Sequence, residues 1–143
     1  MSMVPYLCWM FFVEFLEVDL AILTQNGVHL KEHEYHTVKT LLEKGYDVEL
    51  IPPSKIKGLR MPDIMIQGLS WEIKSPQGDG KKVFKNTLQN ASHQSQNTII
   101  DLRRCRVDEQ RSIKELEHYF ILSKRLKRMK IILKTEEIID FVK

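Results

Sequence analysis

The stretch "PDIMIQGLSWEIKSPQGDGKK", residues 62–82, decides how this chain is read. Ile64 and Ile66 alternate with Asp63, Met65 and Gln67, and Trp71 and Ile73 alternate with Ser70, Glu72 and Lys74. A period of two predicts two strands, over 63–67 and 70–75, each with one apolar side. Gly68–Leu69 between them suits a tight hairpin turn. With the turn centred there, antiparallel pairing sets Asp63 opposite Lys74 and Met65 opposite Glu72. Slipping the pairing by one residue would bury the charges, so the apolar pattern pins the register. Two carboxylates and an ammonium then share one polar sheet surface above a greasy underside.

Working outward, residues 31–44 ("KEHEYHTVKTLLEK") read as a helix with Tyr35, Val38, Leu41 and Leu42 on one face and Gly45 as its stop. "DVELIPP" (47–53) is a strand ended by two prolines. "SKIKGLRMP" is a basic loop. Residues 81–95 form a second helix, with Phe84, Leu88 and Ala91 inward, and "NTIIDLRR" (97–104) is a strand. Residues 109–126 form a third helix, with Ile113, Leu116 and Phe120 inward. "MKIIL" (129–133) and "EIIDFV" (137–142) close as a hairpin around Thr135–Glu136. The expected fold is α/β (α+β): a mixed central sheet flanked by helices, in the order α-β-β-β-α-β-α-β-β.

A chain of 143 residues, 43% of them hydrophobic, suits one domain with a modest core. The net charge of +3 is unevenly spread. Residues 1–50 carry three basic and eight acidic side chains; residues 51–143 carry 19 basic and 11 acidic. The basic C-terminal part suits a polyanionic partner or, equally, a solvated surface. Cys8 and Cys105 have no zinc-type spacing, and reduced thiols are the default. The opening run "MSMVPYLCWMFFVEFLEVDLAIL" is broken by Glu14, Glu17 and Asp19. Its uncharged part is too short to span a bilayer, and it lacks the marks of a signal peptide. Residues 1–28 are therefore set apart as an apolar N-terminal segment, read as the remnant of a longer upstream region, with the working domain at 29–143.

Several groups carry chemistry. Asp63 and Glu72 can hold a divalent cation such as Mg²⁺ through oxygen ligands, and the cation can polarise a phosphate and activate water. Lys74 can orient that water or stabilise developing negative charge. The bland alternative is a cross-strand charge pair. "HQSQNTIIDLRR" supplies His93 and Gln94 at a helix end and Asp101, Arg103 and Arg104 on the next strand. Asp101 and Arg103, two apart, share a face and join the polar cluster if their strand lies beside the hairpin. Arg103 then grips a phosphate in bidentate fashion, and Gln94 positions a water or a base edge. An ion pair confined to Asp101 and Arg103 is the commoner arrangement, and His93 is the type of residue that usually ends a helix in solvent. Cleavage without a metal would need a base for a ribose 2′-hydroxyl and a cation for the phosphate; His93, Asp101, Lys74 and Arg103 are the available types. Lys81 and Lys82 in "QGDGKK", Arg104, and Lys127 and Arg128 in "KRLKRMK" are candidate contacts to a nucleic-acid backbone. His29, His33 and His36 lack an HExxH pattern, and a wet helix surface is their expected place.

Pro62-Asp63, eight residues, then Glu72-Ile73-Lys74 resembles the PD-(D/E)xK nuclease pattern. The helix, three strands, helix, strand order over 31–103 resembles the core of that superfamily. The resemblance implies metal-binding roles for Asp63 and Glu72, a catalytic role for Lys74, and a helper acid at Glu34, or less so Glu32. A closer resemblance spans residues 31–143. "GYDVELIPPSKIKG", "PDIMIQGLSWEIKSPQGDGKK", "ASHQSQNTIIDLRR" and the basic C-terminal hairpin are similar to the C-terminal tRNA-nuclease domain of CdiA-type contact-dependent growth-inhibition toxins. This resemblance implies RNA cleavage, usually of tRNA, and a cognate immunity protein. Some such toxins have the metal-independent barnase/EndoU/colicin/RelE fold, so an antiparallel sheet of that kind is the alternative architecture.

The expected protein is thus a ribonuclease toxin domain, with Asp63, Glu72 and Lys74 leading and Gln94, Asp101 and Arg103 in support. It acts in a cytoplasm, has no membrane partner, and is delivered within a longer secreted toxin. A metal-dependent DNase and an inactive module binding nucleic acid or an immunity protein are the rivals.

Overall fold

The computed structural model describes residues 21–143. Cys8 and the reading of residues 1–20 as an apolar, non-spanning segment lie outside the described residues. The order is β1 (Leu23–Thr24), α1 (Glu32–Glu43), β2 (Val48–Leu50), β3 (Ile64–Ile66), β4 (Leu69–Lys74), α2 (Val83–Ser92), β5 (Asn97–Asp101), a 3₁₀ turn (Leu102–Arg104), α3 (Glu109–Leu122), β6 (Arg128–Ile132) and β7 (Ile138–Val142). The seven strands form one sheet in chain order, β1 to β7. β2–β3–β4 and β6–β7 pair antiparallel, whereas β1–β2, β4–β5 and β5–β6 pair parallel. The sheet is therefore mixed, as expected, and the antiparallel alternative does not hold. Parallel neighbours need a crossover, and α2 and α3 supply the two between β4, β5 and β6. β1 was not expected; residues 21–28 bring the sheet this short edge strand.

Helices cover both faces of the sheet. Val38 and Leu41 of α1 pack with Leu50, Ile64, Ile66, Trp71, Ile73 and Ile99. Phe84 and Leu88 of α2, with Leu116 and Phe120 of α3, pack with Ile100, Met129 and Ile131 on the other face. Ile99 and Ile100 go to opposite cores because successive strand residues point to opposite faces. The apolar stripes of α2 and α3 fall where the sequence places them. That of α1 is turned: Tyr35 is exposed, while Thr37 and Thr40 are buried beside Val38 and Leu41. Those threonines meet polar side chains of the sheet, described below.

The helices end earlier than their patterns suggest. α2 stops at Ser92 and α3 at Leu122 rather than 95 and 126. Asp108 starts α3 by accepting from the Arg111 amide at 3.1 Å, a side-chain N-cap. The strand expected over 97–104 ends at Asp101, whose carboxylate accepts from the Arg103 amide at 3.1 Å and turns the chain into the 3₁₀ turn. Lys130 is the other departure. It stands in a run expected to be solvated or RNA-facing, yet it is 7% exposed. Its ammonium pairs with Asp140 at 2.6 Å and lies over the Tyr46 and Trp71 rings.

The hairpin register also differs from expectation. Ile66 pairs with Leu69 and Ile64 with Trp71, so the two-residue turn is Gln67–Gly68. Both turn residues have positive φ, 52° and 78°, which a type I′ hairpin requires. Glycine adopts that region freely and glutamine more cheaply than a branched Leu69 would. Moving the turn by one residue leaves the faces unchanged but shifts the partners: Asp63 now faces Glu72 rather than Lys74.

Candidate active site

Asp63, Glu72 and Lys74 come together. Lys74 Nζ lies 3.1 Å from Glu72 Oε2, as alternation along β4 dictates for residues two apart. Asp63, opposite Glu72 in the hairpin, brings a second carboxyl group beside it. It follows Pro62, which has no amide to donate to the ladder, and one carboxylate oxygen closes the strand end by accepting from the Ile73 amide at 2.8 Å. The expected open sheet surface is closed at one point. Glu72 is only 3% exposed, because the crossover carries α2 over this face. Asp63 is half-buried, and the Lys74 side chain keeps 26% of its surface in solvent.

Burial, with the neighbouring Asp63 carboxylate added, pushes the Glu72 carboxyl up to about 8; Lys74 pulls the other way and offsets only part. At neutral pH the Glu72 carboxyl is thus mainly protonated. Its Oε1 is buried with no donor in reach. Two adjacent carboxyl groups, one of them buried, favour a proton or a cation at the pair. A divalent ion satisfies the same need. Among the described residues no three His, Cys, Asp or Glu side chains converge on one point. Two carboxyl groups are the number that an ion of the Mg²⁺ type commonly takes from a protein, water and phosphate completing its shell.

Asp63 also opens onto solvent. With Glu34, Gln94, His29 and Arg60 it lines a cleft of about 490 Å³. Glu34 reaches this cleft from the first turn of α1, where its carboxylate accepts from the Lys31 amide at 3.1 Å. Glu32 does not; it points to solvent beside His36. Arg60 was not singled out by sequence, and His29 was expected only on a wet helix surface. The 52–62 loop and the segment before α1 bring the two to this cleft.

Asp101 and Arg103 do not join this group, although β5 does lie beside β4. Asp101 shares its face with Ile99, under α1, whereas Glu72 and Lys74 share theirs with Thr98 and Ile100. The Asp101 carboxylate, 3% exposed, is gripped by Arg103 through Nε at 3.0 Å and Nη2 at 2.7 Å, and by Thr37 Oγ1 at 2.6 Å. Arg103 Nη1 also donates to Thr40 Oγ1 at 2.8 Å. Burial opposes the charge on Asp101, but the hydrogen bonds from Arg103 and Thr37 outweigh it and hold the pKa below its ordinary value. This cluster locks α1 to the sheet and explains the buried threonines.

The candidate backbone contacts fall into separate places. Lys81 and Lys82 are exposed just before α2. Arg104 is half-buried in the 3₁₀ turn, and Arg128 is half-buried with Nη1 3.4 Å from Asn97 Oδ1. Lys127 is exposed and lines a second cleft with His93, Gln94, Lys124 and Arg125.

The family model of the contact-dependent growth inhibition CdiA C-terminal domain matches residues 60–138, more than half of the chain, which span β3 to β6. The chain belongs to this family. A solved structure of similar fold is that of the CdiA-CT/CdiI toxin and immunity complex from Burkholderia pseudomallei, with a TM-score of 0.64 over 86% of this chain and 100% of that chain, at 19% identity. No curated protein matches the chain in sequence. A CdiA C-terminal toxin domain is thus shown. No helix among the described residues is long and apolar enough to cross a membrane.

Proposed function

We infer that this CdiA C-terminal domain is a nuclease that cuts RNA phosphodiester bonds, most readily those of tRNA, with Asp63, Glu72 and Lys74 as its centre. The observation that carries the reading is the pair of neighbouring carboxyl groups, one of them buried and pushed up to about 8, with an ammonium 3.1 Å from it at the solvent side. Such displaced titration beside a cleft favours a chemical site over a surface charge pair.

Each residue has work within that geometry. Asp63 and Glu72 would hold a divalent ion of the Mg²⁺ type, and the ion would polarise the scissile phosphate and lower the pKa of its water. Lys74, partly in solvent, is placed to donate to a non-bridging phosphate oxygen and to stabilise the charge that develops there. Glu34 and Gln94 line the cleft with Asp63; Gln94 orients a water or a base edge, and Glu34 supplies a further acceptor. The lock under α1 gives Asp101 and Arg103 a positioning part rather than contact with the phosphate. The basic side chains of the C-terminal part suit an RNA backbone. A cognate immunity protein is the proposed protein partner, by analogy with the similar complex. The site of action is a cytoplasm, reached as the end of a longer secreted toxin.

The test is purified protein incubated with total tRNA, with Mg²⁺ or with EDTA, beside Lys74→Ala. Cleavage that needs the cation and drops at least about 100-fold in Lys74→Ala is expected. Cleavage that persists in EDTA removes the metal and leaves the nuclease. Intact tRNA with folded wild-type protein, but cut duplex or single-stranded DNA, replaces the ribonuclease by a DNase.

A further inference from the structure

The second cleft, of about 560 Å³, is built at the far end of α2. Residues 93–96 leave that helix and are stitched to the start of β4: Ser95 Oγ and Asn97 Nδ2 donate to the Ser70 carbonyl at 2.8 and 2.9 Å. Ser70 lies two residues before Glu72, roughly 7 Å along the strand. The loop after α3 is stitched to the same segment. Lys127 and Arg128 amides both donate to the Gln96 carbonyl, at 2.7 and 3.3 Å, and Leu126 between its cations is fully buried. Lys124, Arg125 and Lys127 are therefore exposed side chains on a backbone held from both sides.

Arg125 Nη1 lies 3.0 Å from His93 Nδ1. A guanidinium can only donate, so Nδ1 accepts and the ring carries its hydrogen on Nε2. His93 is thus a further donor beside the cations, not a competing acceptor. Among the described residues, the side chains around this cleft include no carboxylate and no apolar group. Among the described residues none of Lys124, Arg125 and Lys127 forms an ion pair. Gln94 lines both this cleft and the one that holds Asp63.

We propose that Lys124, Arg125, Lys127 and His93 form a phosphate-backbone subsite that seats the RNA strand next to the bond being cut, with Gln94 at the joint. The proposal rests on the nuclease reading for its strand but on this second cleft for its contacts. A protein partner fits the cleft less well, since stable protein interfaces centre on aromatic or apolar anchors and this cleft has none. Contacts of this kind carry affinity and position without reading sequence. Lys81 and Lys82 stand at the opposite end of α2, roughly 15 Å away, so the two basic groups are separate sites.

The experiment measures binding of fluorescently labelled tRNA across a salt series, in a Lys74→Ala background so that no strand is cut. The triple variant Lys124→Gln/Arg125→Gln/Lys127→Gln is compared with that background. Three lost contacts to a single strand should lower the slope of log affinity against log salt by about 2. Between 50 and 200 mM salt, the background protein should then lose roughly 16-fold more affinity than the variant. Equal slopes with both proteins folded overturn the subsite. An oligoglutamate that competes as well as an oligonucleotide of equal charge overturns the RNA assignment in favour of an acidic protein. If wild-type protein cuts no nucleic acid yet the slope falls as expected, the subsite stands and the nuclease reading falls. If wild type cuts tRNA and the variant matches it in KM and salt slope, the reverse holds.

Discussion

Glu72→Gln separates the buried carboxyl from everything else that titrates. In the folded chain Glu72 is pushed up to about 8 from its ordinary 4.5. A folded pKa above the unfolded one means that the folded state binds the extra proton between those values. The associated stability is fully present below pH 4.5, declines as pH rises, and is gone above about 8. The window spans 3.5 pH units, and at about 1.36 kcal/mol per unit it amounts to at most about 5 kcal/mol. The side chain is 4% exposed, so solvent screening removes little of it. An amide has the shape of the neutral acid, but it cannot ionise. Urea unfolding of both proteins in EDTA, from pH 5 to 9, measures the difference. Wild type should lose several kcal/mol relative to Glu72→Gln as pH rises to 8, with no further divergence above. Parallel curves across the range would refute the reasoning, because a proton shared with Asp63 cannot leave stability untouched.

A divalent ion at Asp63 and Glu72 must displace that proton, so its apparent affinity should weaken about 25-fold from pH 8.5 to pH 6.5; calorimetric titration with Mg²⁺ reads this, and a pH-independent affinity would place the ion elsewhere. Arg103→Ala leaves the Asp101 carboxylate buried without its guanidinium and should cost about 3 kcal/mol of stability in urea unfolding. Cleavage per folded molecule should stay within about tenfold of wild type, the loss expected of a positioning group rather than a phosphate ligand; full stability with abolished cleavage would return Arg103 to the phosphate.

The gathering of Asp63, Glu72 and Lys74 was legible because it depends on alternation, and a strand's period of two survives any error in the turn. The exact pairing was not, because Gln67–Gly68 and Gly68–Leu69 are both plausible turns until backbone φ is known. Asp101 and Arg103 were misplaced for a related reason. Sequence places them on one strand face but not on which, and β5 turns Asp101 toward α1 while Glu72 looks toward α2; Arg103 follows in the 3₁₀ turn. Lys130 shows the limit of charge runs: one cation of "KRLKRMK" faces the core because strand alternation puts it there and Asp140 meets it from β7. The burial of Glu72 was hidden too, since no local pattern tells that a crossover helix will cover the residue.

By itself the amino-acid order determined the mixed α/β class, the polar face of the hairpin and the identity of the three residues on it. These are local properties, set by side-chain periodicity and by the few residues that tolerate a turn. Tertiary structure decided which carboxyl loses its water, which ion pair serves the scaffold, and that the loop after α3 meets the end of α2 in a basic cleft. Those outcomes depend on which helix crosses which face of the sheet, and desolvation, the largest force acting on Glu72, exists only once that crossing is made.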